Sequence, residues 1–277
     1  MEKMKLGDIK EDLQTNKRTK ERHQNIELEW RHYNSSLFKI GSSFYKTLPK
    51  EYLENYDEKN FSSVEDRGLL FKKYIENTLS KNKDTPRTAI EFGGPGSKLF
   101  SGFTDGFFKR TVGICLDDAR PAYRMYDDNI NGHDVIVGDI MDVNNKDLFN
   151  KINNTLKTNK VDLIISRMQG PLTKLRKNPV LLDHIIRKWY SLLNKNGMLF
   201  AQFEYFPEHD PNIEKIRDAK YFPPPREASE EHAEQWIKFV KQKFQDQIEI
   251  QLGRGVIRIL KKDNAPDELP SAKELFN

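Results

Sequence analysis

The stretch Thr88-Ala-Ile-Glu-Phe-Gly-Gly-Pro-Gly-Ser-Lys ends a short apolar run in an acid, Glu91, and follows it with a glycine-dense turn. Glycine lets a backbone approach a ligand closely and adopt positive φ, and a helix that follows offers N–H donors with no partner of their own. The pattern alone fits any nucleotide-binding α/β protein, and a tight strand-to-helix turn without a ligand reads the same way. Two familiar versions fail on spacing. From Gly94 and Gly96, a G-x-G-x-x-G fingerprint needs a third glycine where Leu99 stands, and the Gly-Lys-Ser/Thr of a phosphate-cradling loop is absent. Hydride chemistry and triphosphate hydrolysis are therefore disfavoured.

Further acids stand where later apolar runs end. Val112-Gly-Ile-Cys-Leu-Asp-Asp delivers Asp117 and Asp118, and a carboxylate there can accept from both hydroxyls of a ribose. Asp134-Val-Ile-Val-Gly-Asp-Ile delivers Asp139 followed by Ile140, a pairing that suits an adenine ring, its amine held and its face covered. Each acid can equally be a solvated strand end. Val161-Asp-Leu-Ile-Ile-Ser-Arg brings Arg167 to the same edge. Arg167 and Gln169 either orient a substrate or pair with a carboxylate and the loop backbone. Beyond the next run, Glu204, Tyr205 and His209 follow in quick order; Glu204 can accept a proton, hold a substrate amine, or stand as a surface charge. The loop 204–230 is long and contains Tyr221-Phe-Pro-Pro-Pro-Arg. Long ordered loops at a ligand edge usually serve binding. With Trp30 and Tyr33 this loop either forms an apolar lid that excludes water or packs as ordinary aromatics. The six histidines show no ligand spacing, and no metal is expected.

These residues need a scaffold that brings strand ends together. Short apolar runs at 88–92, 111–116, 134–137, 161–165 and 198–203 alternate with helical stretches, the clearest at 63–80, 179–193 and 231–244. Such alternation predicts a parallel sheet with right-handed crossovers, and ligands of open α/β sheets bind at the C-terminal strand ends. Leu193-Asn-Lys-Asn-Gly-Met reads as a helix end and a turn before the fifth strand. Two last runs, 248–252 and 256–260, flank Gly253-Arg254-Gly255 and predict a hairpin with a three-residue connection. The expected divisions are a charged arm at 1–25, a helical cap and first helix at 26–85, a catalytic domain at 86–262 and a polar tail at 263–277.

Composition narrows the class. With 277 residues, 36% hydrophobic and 32% charged, the chain can bury a full core but is polar for its size. No run approaches the roughly 18 apolar residues of a membrane helix, and the first residues lack the apolar core of a secretory signal. Cys115 is the single cysteine, which excludes an internal disulfide and a cysteine-rich metal site. A cytoplasmic setting is expected. The net charge of +4 is dispersed along the chain and reads as a solvated mixed-charge surface ahead of a hint of an anionic partner.

Over about 87–262, this set of motifs resembles the Rossmann-like (class I) S-adenosylmethionine-dependent methyltransferases. The resemblance implies an α/β fold: a Rossmann-like, seven-stranded, mostly parallel sheet with a C-terminal antiparallel hairpin, helices on both faces and an N-terminal helical cap. It implies S-adenosyl-L-methionine as cofactor. Glu91 and the backbone at Gly93, Gly94 and Gly96 would hold the methionine and ribose part, Asp117 the ribose, and Asp139 with Ile140 the adenine. Arg167 and Glu204 would face the methyl acceptor as the catalytic pair, with a small molecule expected ahead of a protein or RNA. There are departures: Pro95 and Ser97 stand where many members have further glycines, and Cys115 stands where the ribose acid often lies. They keep a methyltransferase-like binding module without turnover as the alternative. An aminopropyl transferase normally has paired acids after strand four, where this chain has Ser166-Arg167-Met168.

Overall fold

The apolar runs at 88–92, 111–116, 161–165 and 198–203 lack strict alternation because both faces of the strands they form are covered. The computed structural model describes residues 36–54, 64–81, 86–116, 131–167, 179–203, 227–253 and 255–276. Its strands are β1 (Thr88–Phe92), β2 (Arg110–Cys115), β3 (His133–Val137), β4 (Val161–Ser166), β5 (Leu193–Gln202), β6 (Ile248–Gly253) and β7 (Val256–Lys261). They form one seven-stranded sheet in the order β3-β2-β1-β4-β5-β7-β6. The pairs from β3 across to β5 are parallel, while β7 runs antiparallel to both β5 and β6. The expected architecture of the sheet is thus present.

Two details differ from the expectation. The fifth strand begins at Leu193, opposite Val161, and the register then jumps so that Leu163 faces Met198. The extra residues form a bulge in which Asn196 takes φ 61°, a conformation asparagine tolerates better than most residues. The expected turn is therefore a bulge inside the strand. At the hairpin, Gly253 already pairs with Val256, so the connection is two residues, not three.

Helices cover both faces: α1 (Ser36–Phe44), α2 (Val64–Leu79), the single turn α3 (Ser97–Phe100), α4 (Lys146–Leu156), α5 (Pro179–Ser191), α6 (Glu227–Phe244) and α7 (Lys273–Phe276). One apolar cluster joins Leu37, Phe44, Phe71 and Ile75 of α1 and α2 to Ala89, Leu163, Met198 and Phe200 of the sheet. Phe71 meets Phe200 edge-on at 4.9 Å between centroids. Buried Arg258 of β7 fastens the same layer, donating to the Thr47 carbonyl and, at 2.7 Å, to the Tyr74 hydroxyl. The other face packs α4, α5 and α6, with Trp189 stacked on Phe92 at 4.7 Å.

The segment read as a polar tail is built into this second layer. Ala265, Leu269 and Ala272 are buried there, while Tyr190 and Trp236 donate to the carbonyls of Pro266 and Pro270. Small apolar residues spaced among polar ones gave no periodic signal. No described helix is long and apolar enough to cross a membrane.

Helix α4 illustrates local encoding. Asn145 sits at its N-cap and accepts from the Leu148 N–H at 3.0 Å, while Leu148, Ile152 and Leu156 form the buried stripe. Asn145→Ala should cost about 1 kcal/mol in urea unfolding, and Asn145→Asp should be close to neutral.

Candidate functional site

Strand order reverses between β1 and β4, which leaves a crevice at their C-terminal ends where ligands of open α/β sheets bind. Three residues converge there. Phe92 is in register with Ser166, which places Glu91 one residue before the end of β1 and Arg167 one residue beyond the end of β4. The Glu91 side chain is fully buried, and Arg167 Nε donates to its Oε1 at 2.7 Å. A carboxylate removed from water is tolerable with a guanidinium on it, and a charge-assisted bond of this length is strong. The sequence left two roles open for Arg167; here it pairs with a carboxylate. Beside it, the Ser166 hydroxyl is buried with no hydrogen-bond partner among the described residues. An orphaned hydroxyl at a ligand edge costs free energy unless something else satisfies it.

The glycine turn folds back over β2 rather than standing free. Gly93 N–H donates to Ile114 O at 2.8 Å, and Gly94 bridges the same residue. Gly93 and Gly96 take φ of 91° and 77°, a region side chains avoid. Pro95 lies directly on Gly113, where any Cβ would overlap its carbonyl group. His133 Nε2 lies 2.8 Å from the Pro95 carbonyl oxygen, which can only accept, so that nitrogen carries the proton. Its Nδ1, 2.7 Å from Thr111 Oγ1, then accepts from the hydroxyl in the neutral ring. Gly113, Thr111 and His133 thus shape the turn, and none was singled out from the sequence. Gly113 carried a signal: a glycine inside a buried strand often marks a close backbone approach. The helix expected after the turn is only the four-residue α3.

The remaining candidates are spread along the same edge. Asp139 follows β3, is exposed, and caps the next turn by accepting from the Met141 N–H at 2.9 Å. Ile140, read as covering an adenine face, is 6% exposed and joins Val143, Leu148 and Ile152 in the core. Its side chain turns inward because α4 needs an apolar cover at the end of β3. Cys115, at the end of β2, is buried. Asp117, Asp118, Gln169, Glu204, Tyr205 and His209 lie outside the described residues, as do Trp30, Tyr33 and the loop 204–226. Glu91, Gly93, Gly94, Gly96 and Arg167 are therefore brought together, and Asp139 stands beyond β2.

A seven-stranded sheet in this order, with an acid and a glycine turn at the reversal point, defines a Rossmann-like α/β protein. No family model and no curated protein sequence matches the chain. Among solved structures it is similar to the plantazolicin methyltransferase BpumL in complex with a monoazolic desmethylPZN analog and SAH. That likeness has 12% identity, covers 82% of this chain and 95% of the other, and has a TM-score of 0.41. It is also similar to an rRNA methylase from Streptococcus thermophilus (13% identity, 69% and 97% covered, TM-score 0.36). A third is MycE methyltransferase of the mycinamycin pathway, in complex with Mg, SAH and mycinamycin VI (9% identity, 76% of this chain, TM-score 0.40). This chain covers 54% of MycE's length. The functional reading is carried by the residues of the chain itself.

Proposed function

We propose that the chain binds S-adenosyl-L-methionine in the crevice between β1 and β4 and transfers its methyl group to an acceptor. The observation that supports this most is the buried Glu91 at the reversal point, with the glycine turn folded beside it. The residues fit such a group: a buried acid, a turn of small residues, an unpartnered Ser166 hydroxyl and an exposed Asp139 further along the edge. Bound there, S-adenosyl-L-methionine supplies a methyl already activated on sulfonium, which leaves by in-line displacement. The chain's part is to position and to exclude water. Glu91 and the backbone of residues 93–96 would hold the amino-acid and ribose portion, Asp117 the ribose hydroxyls, and Asp139 the adenine amine. Arg167 holds Glu91 in place, and Glu204 would meet the acceptor.

A second reading, a binding module without turnover, has its own support. Arg167 neutralises Glu91, Gly93 donates into the sheet, Pro95 has no N–H, and α3 is one turn long. The two part on chemistry. The enzyme reading predicts binding of S-adenosylhomocysteine, which at about 100 times its Kd should add about 2.7 kcal/mol of stability, and a decayed site does not. Only the enzyme predicts methyl transfer to an acceptor found by screening. A thermal melt unmoved by millimolar S-adenosylhomocysteine would contradict the cofactor site and favour the binding module. Asp139→Ala should weaken that ligand by about 1 kcal/mol, roughly fivefold in titration calorimetry, because an exposed acceptor contributes at the low end of its range.

A further inference from the structure

At the opposite edge of the sheet, where β1, β2, β4 and β5 begin, a cavity of about 850 Å³ opens to solvent. Among the described residues, six cations line it: Lys81, Lys109, Arg110, Lys157, Lys160 and Lys195. The two carboxylates in the lining are already engaged. Asp162, 3% exposed, accepts from the Thr88 N–H at 2.7 Å and from Asn194 Nδ2 at 2.9 Å, and Asp263 accepts from Asn196 Nδ2 at 2.6 Å. Lys160 donates to the Ser191 carbonyl, and Lys195 to that of Ala265 and towards exposed Asp267. The side chains of Lys81, Lys109, Arg110 and Lys157 make no hydrogen bond or ion pair among the described residues, and all but Arg110 are exposed. The positive surplus of the lining equals the net charge of the whole chain, +4. Lys261, buried behind this edge, registers the same field. Burial first, and then the charge of Lys160 and, more weakly, Lys195, lower its pKa, against the opposing pull of Asp267.

We infer that this groove is a nucleic-acid binding surface that engages the phosphate backbone without reading sequence. It lies away from the β1–β4 crevice and does not depend on the cofactor proposed there. Three features select this occupant. The cations sit on four adjacent strands or the segments leading into them, a width of about 14 Å at normal strand spacing. Along a double helix that width spans about four phosphates of one strand, at roughly 3.4 Å of axial rise each. Among the described residues no aromatic lines the groove, so backbone charge rather than base stacking is what they offer for recognition. Pro86 and Leu156 are the apolar residues of the lining, and Leu156 is 2% exposed. A concave surface without protruding apolar side chains is unlike the amphipathic faces that enter a bilayer.

The test is fluorescence anisotropy of the full chain with a labelled single-stranded RNA of about 20 nucleotides. Four free cations at about 0.7 counterions each predict that raising salt from about 50 to 200 mM weakens binding about 50-fold. Lys109→Gln/Arg110→Gln/Lys157→Gln leaves one free cation, so the same salt step should weaken the residual binding only about threefold. The control Lys151→Gln/Lys238→Gln/Lys241→Gln removes the same charge from exposed positions of α4 and α6 outside the lining and should behave as the parent. None of the substituted groove side chains makes a described bond, and circular dichroism should show all variants folded. The inference is overturned by no saturable RNA binding at the lower salt, or by an unchanged affinity and salt slope in the groove variant. An equal loss in the control also overturns it, as does binding to phosphatidylserine vesicles but not to RNA.

Discussion

Arg167→Ala should lose about 3 kcal/mol of unfolding free energy, because it strands a carboxylate that has no access to water. Glu91 is fully buried in a central strand, and Arg167 Nε donates to its Oε1 at 2.7 Å. Breaking a buried pair by deleting one partner costs more than removing both, since the remaining charge keeps its desolvation penalty without compensation. The double variant Glu91→Gln/Arg167→Met should therefore recover most of the loss, and urea unfolding of Glu91→Gln, Arg167→Met and the double gives the coupling directly. A loss below about 1 kcal/mol in Arg167→Ala would mean that the pair is not desolvated as described. The same variant bears on function. The sequence resemblance implies that Arg167 faces the acceptor; bonded to Glu91, it would also shape the proposed cofactor side. S-adenosylhomocysteine affinity should then shift by more than the roughly threefold, about 0.7 kcal/mol, that an acceptor-only role permits.

Gly113→Ala should abolish S-adenosylhomocysteine binding and cost about 2 to 3 kcal/mol of stability. The added methyl meets the backbone of Pro95, not a side chain that could rotate away, so the turn itself must lift from β2. Gly93 and Gly94, bonded to the neighbouring Ile114, would be carried with it. His133→Ala removes only the tether to the Pro95 carbonyl and should cost about 1 kcal/mol, with binding weakened but measurable. Calorimetric titration alongside urea unfolding separates the two. Full-affinity binding in folded Gly113→Ala would show that the turn does not hold the ligand.

The four central parallel strands were legible because they are covered on both faces. All five residues of β1 are buried, so Thr88-Ala-Ile-Glu-Phe shows none of the polar–apolar alternation of a solvent-facing strand. Strand order became readable only once the glycine turn and the final hairpin were placed within a fold. Contacts between distant residues were not legible. Nothing near Arg167 in sequence indicates that its partner is Glu91, 76 residues earlier. Ile140 looked like a ligand contact because it follows an acid, yet α4 needs it in the core. The tail looked polar because its buried residues, Ala265, Leu269 and Ala272, are few and separated by charged and proline positions. The basic groove was invisible for the same reason: its cations come from four separate stretches of the chain, each unremarkable alone.

The most direct test of the central claim is photo-crosslinking of S-adenosyl-L-methionine carrying a tritiated methyl group, followed by peptide mapping. The label should saturate, be displaced by S-adenosylhomocysteine, and fall in peptides containing residues 88–100 or 161–167, which bracket Glu91, the glycine turn and Arg167. Label that does not saturate, or that maps to the cavity at Lys157, Lys160 and Asn194, would contradict a cofactor site between β1 and β4.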